Sequence, residues 1–255
     1  MICALLCGRG GSKGVPHKNV LKVLGKPLMM YPLLAANHAK QVDKLFVTTD
    51  SHEIARLAKK YDATIIRRPP ELATDEALLE DVIVHGFYYL TETLKHPLEF
   101  MVILLCNAAT VQASSIDKAV ALLRKNPEAD SAASVNLLNQ YSPARAKKTV
   151  NGRLENFIDL SFIGKEISCD RKSQGDCYFS DASLWVIRPR CILNIKDGQL
   201  PFKWMGKNII PIENRWGLDV DDEEGFVLTE FWLKRNGFTR TSTPYDKVKK
   251  GKKRK

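Results

Sequence analysis

The chain has 255 residues, of which 44% are hydrophobic and 27% are charged, and its formal net charge at pH 7 is +10. This composition is sufficient for a sizeable buried core, but no apolar run approaches the ~18 residues that cross a bilayer. Because no secretion signal stands ahead of the first apolar run, we expect a cytoplasmic protein that does not interact with membranes.

The chain opens with a predicted buried strand at 2–7, and the next seven residues, 8–14, contain four glycines. Gly10 and Gly11 carry no Cβ, so successive backbone N–H groups can face a single anion. Three cations stand in or beside this loop: Arg9, Lys13 and Lys18. The stretch therefore predicts a site for a nucleotide polyphosphate. A Walker loop and a dinucleotide-binding fingerprint are both excluded, because their glycine and lysine spacings differ from these.

Apolar runs and helical periodicities alternate along the rest of the chain. Six further strands are predicted, at 44–49, 63–67, 100–105, 131–135, 184–187 and 208–212. Helices are predicted at 27–40, 50–61, 75–94, 115–125 and 223–236. Fully apolar strands that alternate with helices are typical of a parallel sheet covered on both faces. We therefore predict a three-layer α/β fold with a mostly parallel sheet and its ligand at the carboxyl ends of the strands.

Side-chain patterns predict how two of these helices begin and pack. Asp50 and Glu53 are spaced as a capping box, so Asp50 is expected to have a structural role. The last helix carries four large apolar side chains that we expect to pack on the sheet: Phe226, Leu228, Phe231 and Trp232.

An acidic motif, Leu218-Asp219-Val220-Asp221, precedes the last helix. If this segment is extended, the two carboxylates project from one face, where they can hold a hard cation such as Mg2+. The alternative is a solvated acidic loop in which Asp222 or Glu223 caps the helix that follows.

Positive charge is concentrated at the C-terminus. Seven of the ten net charges lie at 247–255, so the rest of the chain carries only about +3. We predict one domain at 1–246 and a disordered basic tail at 247–255. A nucleic-acid-binding protein that uses this tail is an alternative, but we expect no nucleic-acid partner because the tail has no interleaved aromatic side chains.

The glycine loop and three further motifs resemble those of the CMP-sialic acid synthetases, or acylneuraminate cytidylyltransferases. Relatives that activate legionaminic, pseudaminic and similar nine-carbon acids share these motifs. The first is RGGSKGVPHKN at 9–19, with LGKPL at 24–28; the others are VTTDS at 47–51, RPPELATD at 68–75 and LDVD at 218–221. The resemblance extends from residue 1 to about residue 233.

The resemblance implies a nucleotide-diphospho-sugar transferase-like fold and a definite activity. The family transfers CMP from CTP to the anomeric hydroxyl of a nonulosonic, sialic-acid-like keto acid, releases pyrophosphate and depends on Mg2+. It implies catalytic roles for Arg9, Lys18, Asp219 and Asp221, with both aspartates as Mg2+ ligands. It implies nucleotide-binding roles for Gly10, Gly11, Ser12, Lys13, Asn19 and Arg68, the last as the arginine that reads the cytosine.

Residues from about 136 to 178 break the alternation of strand and helix. In the resembled family this region is an inserted dimerisation arm that crosses to a second subunit, which implies a homodimer.

The acceptor side departs from the family pattern. LCNAAT at 105–110 stands where the family has LQPTSP, and FSDAS at 179–183 stands where it has RPNGA. Candidate sugar-binding residues are Asn107, Arg145 and Arg171. These departures leave a second enzyme hypothesis open, a cytidylyltransferase that acts on an octulosonic acid or a phosphonate.

Overall fold

The computed structural model describes residues 1–11, 14–162 and 167–246. Two predicted site residues, Ser12 and Lys13, and the basic tail at 247–255 lie outside the described residues. The strands are β1 Ile2–Cys7, β2 Lys22–Val23, β3 Lys26–Pro27, β4 Lys44–Thr49, β5 Thr64–Arg67, β6 Phe100–Leu105, β7 Ser131–Leu137, β8 Lys147–Val150, β9 Arg153–Asn156, β10 Tyr178–Ile187 and β11 Ile209–Glu213. The helices are α1 Met30–His38, α2 His52–Lys59, α3 Leu79–Thr93, α4 Ala113–Lys125, α5 Pro189–Leu193 and α6 Glu223–Arg235.

In the described part of the chain, seven strands form one sheet in the order β11-β7-β10-β6-β1-β4-β5. All neighbouring strands are parallel except at β10, which is antiparallel to both β6 and β7. β1 lies in the interior of the sheet, where Ala4 is opposite Leu45 of β4 and Val102 of β6. The predicted mostly parallel sheet is confirmed.

Helices cover both faces of this sheet. Along β1, Ile2, Ala4 and Leu6 belong to one buried cluster with side chains of α1, α2 and α4. Cys3, Leu5 and Cys7 belong to a second cluster with side chains of α3 and α5. The two sets alternate along one strand because successive side chains of a strand point to opposite faces. The three-layer α/β fold is therefore confirmed.

α6 packs differently from the expectation for the last helix. Its buried face is formed by Thr229, Trp232 and Leu233, whereas Leu228 and Phe231 are more than half exposed. The prediction that all four large side chains pack on the sheet is wrong for these two residues. The helix packs against the short strand β2, and the face that carries Leu228 and Phe231 is left exposed. None of the described helices is both long and apolar enough to cross a bilayer.

The predicted arm region contains a small separate hairpin. β8 pairs with β9 across a turn at Asn151 and Gly152, both with positive φ. Leu154 and Phe157 of this hairpin are largely exposed. Exchange of the region between two subunits remains a prediction.

Candidate active site

A cavity of about 400 Å3 opens at the carboxyl ends of β1 and β6, which is where a parallel sheet is expected to bind its ligand. Its walls are formed by the glycine loop, by the residues that follow β5, and by the side chains of Asn107 and Asp221. The residues relevant to the site are Arg9, Gly11, Gly14, Lys18, Asn19, Arg68, Asn107 and Asp221. The cavity therefore brings together residues that are more than 200 positions apart in sequence.

Two side chains hold the glycine loop in place. Asp50 Oδ1 accepts a hydrogen bond from Gly10 N at 2.9 Å, and the buried Asn19 side chain donates to Arg9 O at 3.0 Å. The predicted capping box is wrong, because the N-cap of α2 is Ser51, whose Oγ accepts from Ile54 N. Asp50 instead follows the last residue of β4, and its carboxylate holds the glycine loop in place.

Arg9 and Lys18, the two cations proposed to bind phosphate, each contact a carboxylate at the cavity wall. Arg9 Nη1 forms an ion pair with Asp75 at 2.8 Å. Lys18 Nζ donates to Asp221 Oδ1 at 2.6 Å and to Val220 O at 2.7 Å. Both cations therefore line one cavity, and each of them is held there by a carboxylate.

The inner wall carries a buried arginine and a thiol. Arg68 is only 6% exposed, and its Nη2 donates to Thr48 O at 2.9 Å. Cys7 also lines the cavity, but burial raises the pKa of its thiol to about 12. A protonated thiol is a poor nucleophile, so covalent cysteine chemistry is not expected at this site.

The acidic segment at 218–221 lies in the connection between β11 and α6, outside any helix or strand. Val220 is fully buried, and the carboxylates on either side of it contact different partners. Asp219 Oδ2 accepts from the Asn107 side chain at 3.2 Å, whereas Asp221 contacts Lys18. The alternative role of Asp222 as the helix cap is confirmed, because its carboxylate accepts from Gly225 N at 2.8 Å.

Asp219 and Asp221 form a donor set that suits a hard divalent cation. Burial, followed by repulsion from Asp221, raises the pKa of the Asp219 carboxyl above its ordinary value. A divalent cation would relieve that repulsion, and both groups offer only oxygen. Within the described ranges, no group of three or more His, Cys, Asp or Glu side chains is arranged to hold a metal ion. Phosphate oxygens and water would therefore complete the coordination.

Arg145, another acceptor candidate, is not among the described residues that line this cavity. Arg145 donates to Gln174 Oε1 at 3.0 Å and to Cys169 O at 3.3 Å, and so ties together the two ends of the predicted arm region. Arg171 lies in a short 3-10 helix of the same region, and its side chain lies outside the described atoms. Of the three sugar candidates, the cavity includes Asn107.

Comparison with known proteins identifies the family of the chain. A family model described as "Cytidylyltransferase" matches residues 3–156, which is more than half of the chain. The chain belongs to the cytidylyltransferase family. The matched range includes the glycine loop, Arg68 and Asn107, whereas Asp219 and Asp221 lie beyond it.

Two relatives resemble the chain over most of its length. It is 27% identical over 229 residues to N-acylneuraminate cytidylyltransferase of Escherichia coli, covering 89% of this chain and 51% of that protein. It is 26% identical over 240 residues to post-translational flagellin modification protein B of Campylobacter coli, covering 91% and 95%. The chain thus spans about half the length of the first relative and nearly all of the second.

A solved cytidylyltransferase structure shows the same fold. The structure of CMP:2-keto-3-deoxy-manno-octonic acid synthetase complexed with CTP superposes with a TM-score of 0.65 and 15% identity. The match covers 92% of this chain and 98% of that one. The predicted family and fold are therefore both confirmed.

Proposed function

We propose that the chain transfers CMP from CTP to the anomeric hydroxyl of a nonulosonic, sialic-acid-like keto acid, with release of pyrophosphate. The observation that carries this proposal is the single cavity that gathers Arg9, Lys18 and Arg68 beside the glycine loop, with Asp221 at its wall. The name of the Escherichia coli relative, N-acylneuraminate cytidylyltransferase, supports the nucleotide and the acceptor class.

The nucleotide would bind with its phosphates along the glycine loop. Arg9 and Lys18 would exchange their carboxylate partners for the more highly charged triphosphate. Backbone N–H groups of Gly10 and Gly11 would add donors, as would Ser12 and Lys13, which lie outside the described residues. Asn19 would hold this loop, and the buried Arg68 would face the cytosine.

In the reaction, the anomeric oxygen of the acid would form a bond to the α-phosphorus of CTP. The bond from that phosphorus to the bridging oxygen would break, pyrophosphate would leave with the electron pair, and the hydroxyl proton would be released. Catalysis of this kind depends on placement and on stabilising charge, which Arg9 and Lys18 would provide. Mg2+, when bound by Asp219 and Asp221, supplies further positive charge to the phosphate oxygens.

The acceptor would approach from the side of Asn107, with Arg145 and Arg171 as candidates for its carboxylate. Because Arg145 lies in the arm region, we propose a homodimer in which that region serves the site of the second subunit. The exposed Leu154 and Phe157 support an interface there. We also propose a cytoplasmic location, which the free thiols of all six cysteines support.

A second candidate is an octulosonic acid or a phosphonate acceptor. It is favoured by the contacts of Asn107, whose side-chain amide donates to both Asp219 and Val220. A donor already used in this way is less able to recognise the long side chain of a nine-carbon acid.

The test is pyrophosphate release in the presence of Mg2+ from each of the four nucleoside triphosphates. The acceptor panel contains N-acetylneuraminic, legionaminic, pseudaminic and 3-deoxy-octulosonic acids. Release from CTP with a nonulosonic acid is the expected result. Release with the octulosonic acid alone would favour the second candidate, and no binding of CTP in a parallel titration would refute both.

Gly14 provides a more local test of the site. A Cβ at this position would lie 2.3 Å from the backbone oxygen of Asp221, which cannot move without displacing the acidic segment. We expect Gly14→Ala to lower pyrophosphate release by about 100-fold, since small displacements of reacting groups have effects of that order.

Gly11→Ala is the matched control in the same loop. Apart from Gly11 itself and its chain neighbours, no described atom lies within 4 Å of a Cβ at this position, and the substitution retains the backbone N–H. Its loss of pyrophosphate release should be much smaller than that of Gly14→Ala. Equal losses in the two variants would contradict the importance of close contact between the loop and the acidic segment.

A further inference from the structure

A buried group of polar side chains lies behind the acidic segment, outside the cavity. We call it the Asp181 cluster; its members are Thr110, Ser134, Asp181, Ser183 and Asn214. All but Asn214 are at most 5% exposed. The proposed chemistry uses none of these residues directly, so their burial calls for an explanation in other terms.

An irregularity in β10 brings Asp181 into this cluster. The pairing of β10 with β7 shifts register between Ser180 and Trp185, and Ala182 has a left-handed φ of 56°. The turn aims the Asp181 carboxylate inward, where it accepts hydrogen bonds from Ser134 Oγ, from Ser183 N at 3.0 Å and from Asn214 Nδ2 at 2.5 Å. A bulge that redirects a side chain in this way is a common device beside functional sites.

The cluster continues to the acidic segment through Thr110. Asn214 Nδ2 also donates to Thr110 O at 2.8 Å, and Thr110 Oγ1 lies 2.8 Å from Ser183 Oγ. The same threonine hydroxyl accepts from Leu218 N and donates to Leu218 O, each at 2.8 Å. One side chain thus binds both polar backbone groups of the residue that precedes Asp219.

Packing allows little freedom at the start of the segment. A Cβ at Gly217 would lie 2.1 Å from Asp181 Oδ2 and 2.1 Å from Asn214 Nδ2. The Asn136 side chain donates to Gly217 O. The start of the segment is therefore packed closely against the cluster, and side-chain hydrogen bonds from Asn136 and Thr110 hold its backbone at Gly217 and Leu218.

We propose that Thr110 and Asp181 are positioning residues, which fix the backbone at Leu218 so that the Asp219 carboxylate is held in the orientation needed for the cation and the phosphates. This inference rests on the proposed function. It also gives a role to the two segments that depart from the family pattern, because Thr110 of the first and Ser183 of the second are hydrogen-bonded partners. Such support from behind is what a preorganised site requires.

Thr110→Val tests the proposal, because it removes one hydroxyl and retains the shape of the side chain. The matched control is Thr229→Val in α6, where the buried Oγ1 has no hydrogen-bond partner among the described residues. For the full chain and both variants, we would measure the melting temperature alone, with CTP and EDTA, and with CTP and Mg2+. Steady-state pyrophosphate release as a function of Mg2+ concentration completes the set.

We expect Thr110→Val to lower kcat by about tenfold or more and to raise the Mg2+ concentration needed for half-maximal rate. The rise in melting temperature that Mg2+ adds to that of CTP should shrink in this variant and remain unchanged in Thr229→Val. Asp181→Asn should act in the same direction, because an amide in place of the carboxylate oxygen opposes the Asn214 donor. If Asp181→Asn does not fold, Thr110→Val decides the question alone.

Two outcomes would overturn the inference. If Thr110→Val lowers the melting temperature equally in all conditions and retains the normal kcat and Mg2+ dependence, the cluster supports only the fold. If the unsubstituted chain shows neither a melting shift with CTP and Mg2+ nor pyrophosphate release, the proposed function fails and the inference fails with it.

Discussion

Asp219→Asn is expected to reduce pyrophosphate release from CTP by about 100- to 1,000-fold, the scale of losing one preorganised charge-stabilising contact. The amide oxygen at this position can still accept the hydrogen bond from Asn107, so the local fold should persist. What disappears is the negative charge that a divalent cation needs. The measurement is the initial rate at several Mg2+ concentrations, which should show a weakened response to Mg2+ as well as a lower maximum.

Glu223→Gln is the matched control for this change of charge. Glu223 is exposed in the first turn of α6, two residues beyond Asp221, and the substitution has the same chemistry. Its rate should remain close to that of the unsubstituted chain. A similar loss in both variants, or no loss in Asp219→Asn, would refute the specific role of the Asp219 carboxylate.

Lys18→Met is expected to lower kcat/KM for CTP by about 100-fold, because the triphosphate loses a cation that is already directed at the cavity. Stability should change little. The Lys18 side chain is only 15% exposed, but its partner Asp221 is 75% exposed and can be solvated when the ion pair is lost. Methionine also retains most of the apolar stem.

Lys22→Met, in the exposed part of β2, controls for the loss of one positive charge from the same region. Titration with CTP and thermal melting of both variants would complete the comparison. A kcat/KM for Lys18→Met within about threefold of the unsubstituted value would show that Lys18 does not contact the reacting phosphates.

The central sheet can be predicted from the sequence because its strands are fully apolar. β4 and β6 begin and end at the predicted residues, 44–49 and 100–105. β10 is longer than predicted, since its first three residues are exposed and the irregularity at Asp181 interrupts the pattern. β10 runs antiparallel to its neighbours because of the path that the preceding segment takes. The local sequence pattern does not predict that path.

The clustering of the site residues can also be predicted, because each motif follows a strand that ends at the same edge of the sheet. Their partners cannot be predicted in this way. The spacing of Asp50 suits a helix cap, but its carboxylate binds a loop 40 positions earlier in sequence. Thr110 resembles an ordinary buried threonine until the fold places Leu218 beside it. Contacts of this kind arise from tertiary structure and leave no periodic signal.

The most direct test of the central claim follows the α-phosphorus of CTP. The chain is incubated with Mg2+, each keto acid in turn, and CTP that is labelled at the α-phosphorus. The products are then separated, and their masses are measured by mass spectrometry. We predict that the label enters a phosphodiester between CMP and a nonulosonic acid, with one pyrophosphate released for each molecule formed. Label that remains in CTP, or that appears only as free CMP with every acid, would contradict the account.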